Sequence, residues 1–165
     1  MKKITLLKSL VDILYFLHFL GLIAILFFIT IGIISPNETA TSLPPLNSFH
    51  WTIILIGLFA YIVFMMGLNY LRKVSRLLAT NDFFSMEIIK QFKNTGNHFL
   101  ATGIITTALL LANGVNHLFN GKLIFSYDLT FIIPMFLMII GLFFLIQSKS
   151  IRLAKSYKEE NELTV

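Results

Sequence analysis

The sequence predicts an all-α integral membrane protein with four transmembrane helices and both termini cytoplasmic. Three observations carry that expectation. The 165 residues are 56% hydrophobic and 13% charged, with a mean hydropathy of +0.82, too apolar for a soluble domain of this size. The apolar residues gather into four runs of bilayer-spanning length. Twelve of the thirteen lysines and arginines fall in residues 1–8, 72–93 and 149–158, and Lys122 alone lies in another connection. Cytoplasmic segments of membrane proteins carry the excess positive charge, so these three segments are expected on one side, together with both chain ends.

Span one is residues 11–34, preceded by the basic start MKKITLLK and followed by Ser35, Pro36, Asn37 and Glu38. Its length and the absence of a small-residue cleavage site mark a retained span rather than a signal peptide. Span two is residues 51–71, with Trp51 and Tyr70 roughly 28 Å apart along a helix, matching the two interfacial belts. Arg72, Lys73 and Arg76 stop it. The cytoplasmic loop 72–98 follows, and in it Met86, Ile89 and Phe92 recur at helical spacing while Glu87, Lys90 and Lys93 face elsewhere. That pattern predicts a short amphipathic helix lying at the interface.

Span three is residues 99–119. Gly103, Thr107, Leu110, Gly114 and His117 share one narrow stripe, which is expected to face other helices because small residues permit close approach in lipid. Ile104, Ile105, Leu111 and Val115 point away from it. Span four is residues 129–147, with Pro134 and Gly141 on one face. The cytoplasmic tail, residues 148–165, contains no proline or glycine as far as Glu160, so span four is free to extend into the cytoplasm as a helix. A single four-helix domain therefore accounts for the whole chain.

Several function classes are excluded or weakened. With no cysteine, disulfides, thiolate metal sites and cysteine nucleophiles are ruled out. The acidic residues are scattered among loops and helix ends, and no phosphate loop, His-Glu-x-x-His or serine elbow is present, so no enzymatic activity, cofactor or metal site is expected. The net charge of +5 sits beside bilayer-length runs, where anionic headgroups, not nucleic acid, are the expected partner.

Two intramembrane polar features stand out. Asn113, Asn116, His117 and Asn120 lie near the outer end of span three, where they suit either a ligand or an interhelical hydrogen-bond cluster, and the hydrogen-bond cluster is the ordinary outcome. Asp12 and His18 lie near the start of span one, about 9 Å apart along the helix but on different faces. They read more simply as a Lys8–Asp12 pair and a packed histidine than as a proton path.

Two segments carry a family resemblance: LLATNDFFSMEIIKQFKNTGNHFLATGI (residues 77–104) and LFFLIQSKSIRLAKSYKEENELTV (residues 142–165). They resemble the uncharacterised bacterial membrane family catalogued as domain of unknown function 2975. Its members have four spans, a middle-loop Pro-Phe-Ser pattern followed by a run ending in Ile-Gly, and a tail close to Glu-Glu-Asn-Asp-Leu-Thr-Val. Here Asp82, Phe83, Phe84 and Ser85 fill the first pattern, with Phe83 where proline is usual. Thr95 and Gly96 fill the second. Residues 159–165 fill the tail, with Glu162 for the usual aspartate.

The resemblance implies no biochemical activity. It implies, through association with a small Cro-like helix-turn-helix regulator, a membrane-bound regulator that sequesters such a transcription factor. The partner-binding candidates are then Asp82, Phe83, Phe84, Ser85, Gly96, Glu159, Glu160, Asn161, Glu162 and Leu163. The rival reading is a small transporter or channel subunit, with a polar path using His18, Asn69, Asn113 and His117 and a homo-oligomer to enclose it. A third is an assembly element without a partner of its own.

Overall fold

The structure, a computed structural model, describes residues 2–34, 48–80, 83–119 and 129–163. Four helices occupy them: α1 (Lys2–Ile34), α2 (Ser48–Ala79), α3 (Met86–Phe119) and α4 (Leu129–Leu163). All four are long and apolar enough to cross a membrane, the layout of a multi-pass membrane protein. They pack in chain order, α1 on α2, α2 on α3 and α3 on α4.

The helices are longer than a membrane requires. Each has 32 to 35 residues, or about 50 Å of helix against a hydrocarbon core of about 30 Å. The surplus is collected at one end, where the polar ends of α2, α3 and α4 continue as a three-helix stalk. This corrects the expectations for residues 72–98. The middle connection shrinks to residues 80–85, and the segment expected as a separate amphipathic helix forms the opening turns of α3, continuous to Phe119. No proline interrupts it, and Ile88, Ile89 and Phe92 are buried in the bundle rather than laid on an interface. Residues 148–163 likewise continue α4 without a break, and α1 begins at Lys2 rather than at the start of the apolar run.

Two apolar clusters follow that division. The first joins Met65, Leu68 and Phe99 with Tyr15 of α1, Tyr61, Phe64 and Leu71 of α2, and Leu137, Ile140 and Phe144 of α4. Phe64, Phe99 and Phe144 form a chain of rings across it, with centroids 5.6 Å and 6.0 Å apart. The second joins Val74, Ile88 and Phe92 with Leu77, Leu78, Phe144 and Ile151, and so lies in the stalk. Phe144 belongs to both, making one continuous core through the change of medium.

The α3–α4 seam repeats every seven residues. Ser148 donates to the Ile89 carbonyl at 2.9 Å. A Cβ added to Gly96 would lie 2.7 Å from the Gly141 carbonyl, and one added to Gly141 would lie 2.7 Å from the Leu100 nitrogen. One added to Gly103 would lie 2.8 Å from the Pro134 carbonyl and collide with Met138. Positions 89, 96 and 103 thus face 148, 141 and 134, the 3.5-residue periodicity that keeps a helix seam aligned. The expected inward orientation of Gly103 is realised in this seam, and the one face of span four expected to carry Pro134 and Gly141 lies opposite it.

Helix α1 is held differently. Among the described residues its helix pairing is with α2, and most of its large apolar side chains are exposed, as suits a helix facing lipid. Asp12 pairs with Arg72 and Arg76 of α2 rather than with Lys8. The Tyr61 hydroxyl donates to the His18 carbonyl at 2.9 Å, and the His18 ring lies against Tyr61 and Phe64.

Replacing Gly141 with Val forces the α3 and α4 backbones apart, and the expected loss is about 1–3 kcal/mol, the usual range for overpacking. Gly57 has nothing within 4 Å of an added Cβ, so Gly57→Ala is expected not to lower the thermal unfolding midpoint in detergent. Equal midpoints for the two variants, followed by circular dichroism, would contradict the seam.

Candidate functional site

One contact joins the middle connection to the α4 tail at the end of the stalk. Ser85 starts α3 as its N-cap: its hydroxyl accepts from the Ile88 amide at 3.3 Å, and Glu87 in the first turn complements the helix dipole. The cap holds Phe83, Phe84 and Met86 outside the core, exposed by 41%, 42% and 62%. From the other direction α4 brings Lys158, whose ammonium stands 6.0 Å over the Phe84 ring. One cation–π contact therefore joins the two segments.

Height along the bundle gives this exposure its meaning. Phe84 lies fifteen residues before Phe99 in sequence, and an α-helix rises about 1.5 Å per residue, so the turn stands roughly 20 Å beyond the buried ring chain. Lys149, Arg152, Lys155 and Lys158 occur along the facing length of α4. Lipid explains exposed phenylalanine on the spans but not at the tip of a charged stalk. Tyr157 and Leu163 add two more exposed apolar side chains near the end of α4.

The acidic tail is ordered by its own charges. Lys155 pairs with Glu159 at 3.6 Å and Lys158 with Glu162 at 3.7 Å, both one helical turn apart. Such exposed pairs each supply only about 0.3–0.5 kcal/mol, but two in succession favour helix to Leu163. Glu159, Glu160, Asn161, Glu162 and Leu163 are all exposed on this last stretch.

Not every candidate belongs to that surface. Gly96 is buried against Gly141 and is closed to a soluble partner; its smallness serves the helix seam. Ser85 is half-buried and acts as a cap. Asp82 lies outside the described residues, as do Thr164, Val165 and Asn120. Lys158, Met86 and Tyr157 were missed as candidates. The residues that could have found Lys158 are Gly96, Gly141 and Ser148, since the α3–α4 register brings the tail alongside the turn.

The intramembrane polar set separates. Asn113, Asn116 and His117 remain together, half-buried on the last turns of α3. His18 packs on Tyr61 and Phe64 at the level of Phe99, roughly 27 Å along α3 from His117. Its Nδ1 lies 2.8 Å from the Leu14 carbonyl within α1. Among the described residues, no three His, Asp or Glu side chains gather in a metal-binding group.

Stalk polarity is otherwise absorbed locally. The Thr95 hydroxyl donates to the Gln91 carbonyl and Ser75 to the Arg72 carbonyl. Buried Gln91 donates its amide to Glu87, while its side-chain oxygen has no protein partner.

The family model described as protein of unknown function (DUF2975) matches residues 35–165. No curated protein and no solved structure matches the chain.

Ser85→Ala is expected to cost about 1 kcal/mol, the usual value for losing a serine cap. Amide hydrogen exchange should accelerate at residues 86–89 and stay unchanged at 95–103. Uniform acceleration along α3 would mean that Ser85 does not act as a local cap.

Proposed function

We propose that this chain, which belongs to the DUF2975 family, is a non-enzymatic membrane protein that captures a soluble protein at the tip of its stalk. The single observation that carries the reading is the contact of Lys158 with the Phe84 ring, which joins the α4 tail to the turn where Phe83, Phe84 and Met86 are exposed. Large apolar side chains exposed in such a place mark an interaction surface. The partner class implied by the family resemblance is a small Cro-like helix-turn-helix regulator, held at the membrane away from DNA. The chain itself contacts no nucleic acid in this scheme.

The orientation follows from charge. The N-terminus of α1, the C-terminus of α2, the N-terminus of α3 and the C-terminus of α4 lie at one end of an antiparallel bundle, and twelve of thirteen basic residues lie towards it. The positive-inside rule assigns that end to the cytoplasm of a cell membrane. A transport path along the bundle axis would have to pass the Phe64, Phe99 and Phe144 rings, which favours capture over transport.

Orientation is open to direct labelling, because the chain has no native cysteine. In intact cells a membrane-impermeant maleimide should modify Lys122→Cys and spare Thr80→Cys; the reverse pattern would place the stalk outside. For capture, crosslinking pull-downs from native cells should recover a small DNA-binding protein with the full chain. They should lose it with a chain ending at Lys158 and with Phe83→Ser/Phe84→Ser. Undiminished recovery by both variants, each confirmed in the membrane, would remove the turn and tail from the function.

A further inference from the structure

A second site lies at the α1–α2 edge, independent of the stalk tip. Asp12 holds two guanidinium groups of α2 on one carboxylate oxygen: the Nε of Arg72 donates to it, and Nη2 of Arg76 stands 3.7 Å away. The Arg72 guanidinium lies 5.2 Å over the Tyr15 ring, which fixes its plane. Between them the two groups carry ten N–H donors. Among the described residues, the one protein acceptor they bond is Asp12, so within that set two guanidinium groups face one carboxylate and carry a net positive charge. Arg76 is 51% exposed at its side chain.

The depth of this pair decides what can use the surplus. Arg72 is the first charged residue after the uncharged run of α2, and Asp12 the last before that of α1. Both therefore lie where the apolar spans end, and Arg76 stands one turn, about 6 Å, further out. In a bilayer, lipid phosphates lie in the layer just outside the apolar core. Paired, pre-oriented guanidinium groups match its oxygens in geometry as well as charge.

We propose that Arg72 and Arg76, held together by Asp12 and Tyr15, bind the phosphate of an anionic phospholipid against the α1–α2 edge. Asp12 acts here as a positioning residue: it fixes the two heads side by side and leaves their outer donors to the ligand. Tyr61 and Gly21, deeper in the same interface, keep α1 close enough to α2 for the clamp to form.

The test is native mass spectrometry of the full-length protein in detergent, titrated separately with dioleoyl phosphatidylglycerol, dioleoyl phosphatidylcholine and inorganic phosphate. The wild type should retain one phosphatidylglycerol in preference to phosphatidylcholine. Arg76→Gln, which leaves the Arg72–Asp12 pair intact, should weaken that retention about fivefold, the value of one basic residue near an anionic surface. Lys149→Gln removes the same charge from α4 and should leave retention unchanged. Equal weakening by both variants would mean diffuse attraction and overturn the site. Arg76-dependent binding of inorganic phosphate without phosphatidylglycerol retention would overturn the lipid assignment in favour of a soluble phosphate.

Discussion

The close approach of α3 and α4 at Gly96 and Gly141 is the constraint on which the rest of the structure depends. Apolar association supplies little net driving force between helices in lipid, so stability there comes from dense packing and from polar contacts. Two glycines opposite one another allow backbone to meet backbone. That single contact sets a register, and the register carries in both directions. Towards one end it places Gly103 against Pro134. Towards the other it aligns Ser148 with the Ile89 carbonyl and brings Lys158 beside Phe84.

The bundle crosses from one solvent to another without changing its packing rule. In the spans the outward faces are apolar, and the interior is filled by aromatic rings and by Met65 and Leu68. In the stalk the outward faces carry Lys90, Lys93, Arg152 and Lys158, and the interior remains apolar around Val74, Ile88 and Phe92. Buried hydroxyls create no conflict, because Ser75, Thr95 and Thr102 bond carbonyls of their own helices. Ser148 instead reaches across, and its bond to Ile89 lies where the seam passes from glycine packing to side-chain packing. Among the described residues, the unpaired Gln91 oxygen is the exception to buried side-chain satisfaction.

Much of this was legible in the sequence, for reasons that also explain what was not. Span number and the common location of the charged helix ends follow from apolar length and from charge, both one-dimensional signals. The inward face of Gly103, and the common face of Pro134 and Gly141, followed from helical spacing. Residues 86–98 were misread because an amphipathic pattern is satisfied equally by a membrane surface and by two neighbouring helices; the choice was made by α2 and α4, which periodicity within α3 cannot see. Asp12 was given to Lys8 because local spacing offers that pair, whereas Arg72 and Arg76 meet it only once α1 and α2 are antiparallel and in register. Gly96 belonged to a family motif, but its burial shows a packing requirement. His18 and His117 lie at different depths along the bundle, which shared polarity in the sequence cannot report.

The two candidate sites stand on parts of the molecule that are held in different ways. The stalk tip is built on α2, α3 and α4, locked by the glycine seam and by a core that shares Phe144 across both clusters. The arginine pair lies on the other side of α2, where α1 is attached through Asp12, His18 and the close approach of Gly21 to the Tyr61 hydroxyl. A phosphate bound to Arg72 and Arg76 would therefore act first on the position of α1, leaving the α3–α4 register and the surface at the tip unchanged. Coupling between them would have to pass through α2 itself, along the turns from Arg72 to Ala79 that carry the basic edge on one face and Val74, Leu77 and Leu78 on the other. Those residues form a packed side of the stalk, so displacing them requires opening its core, and the default expectation is two sites that work independently.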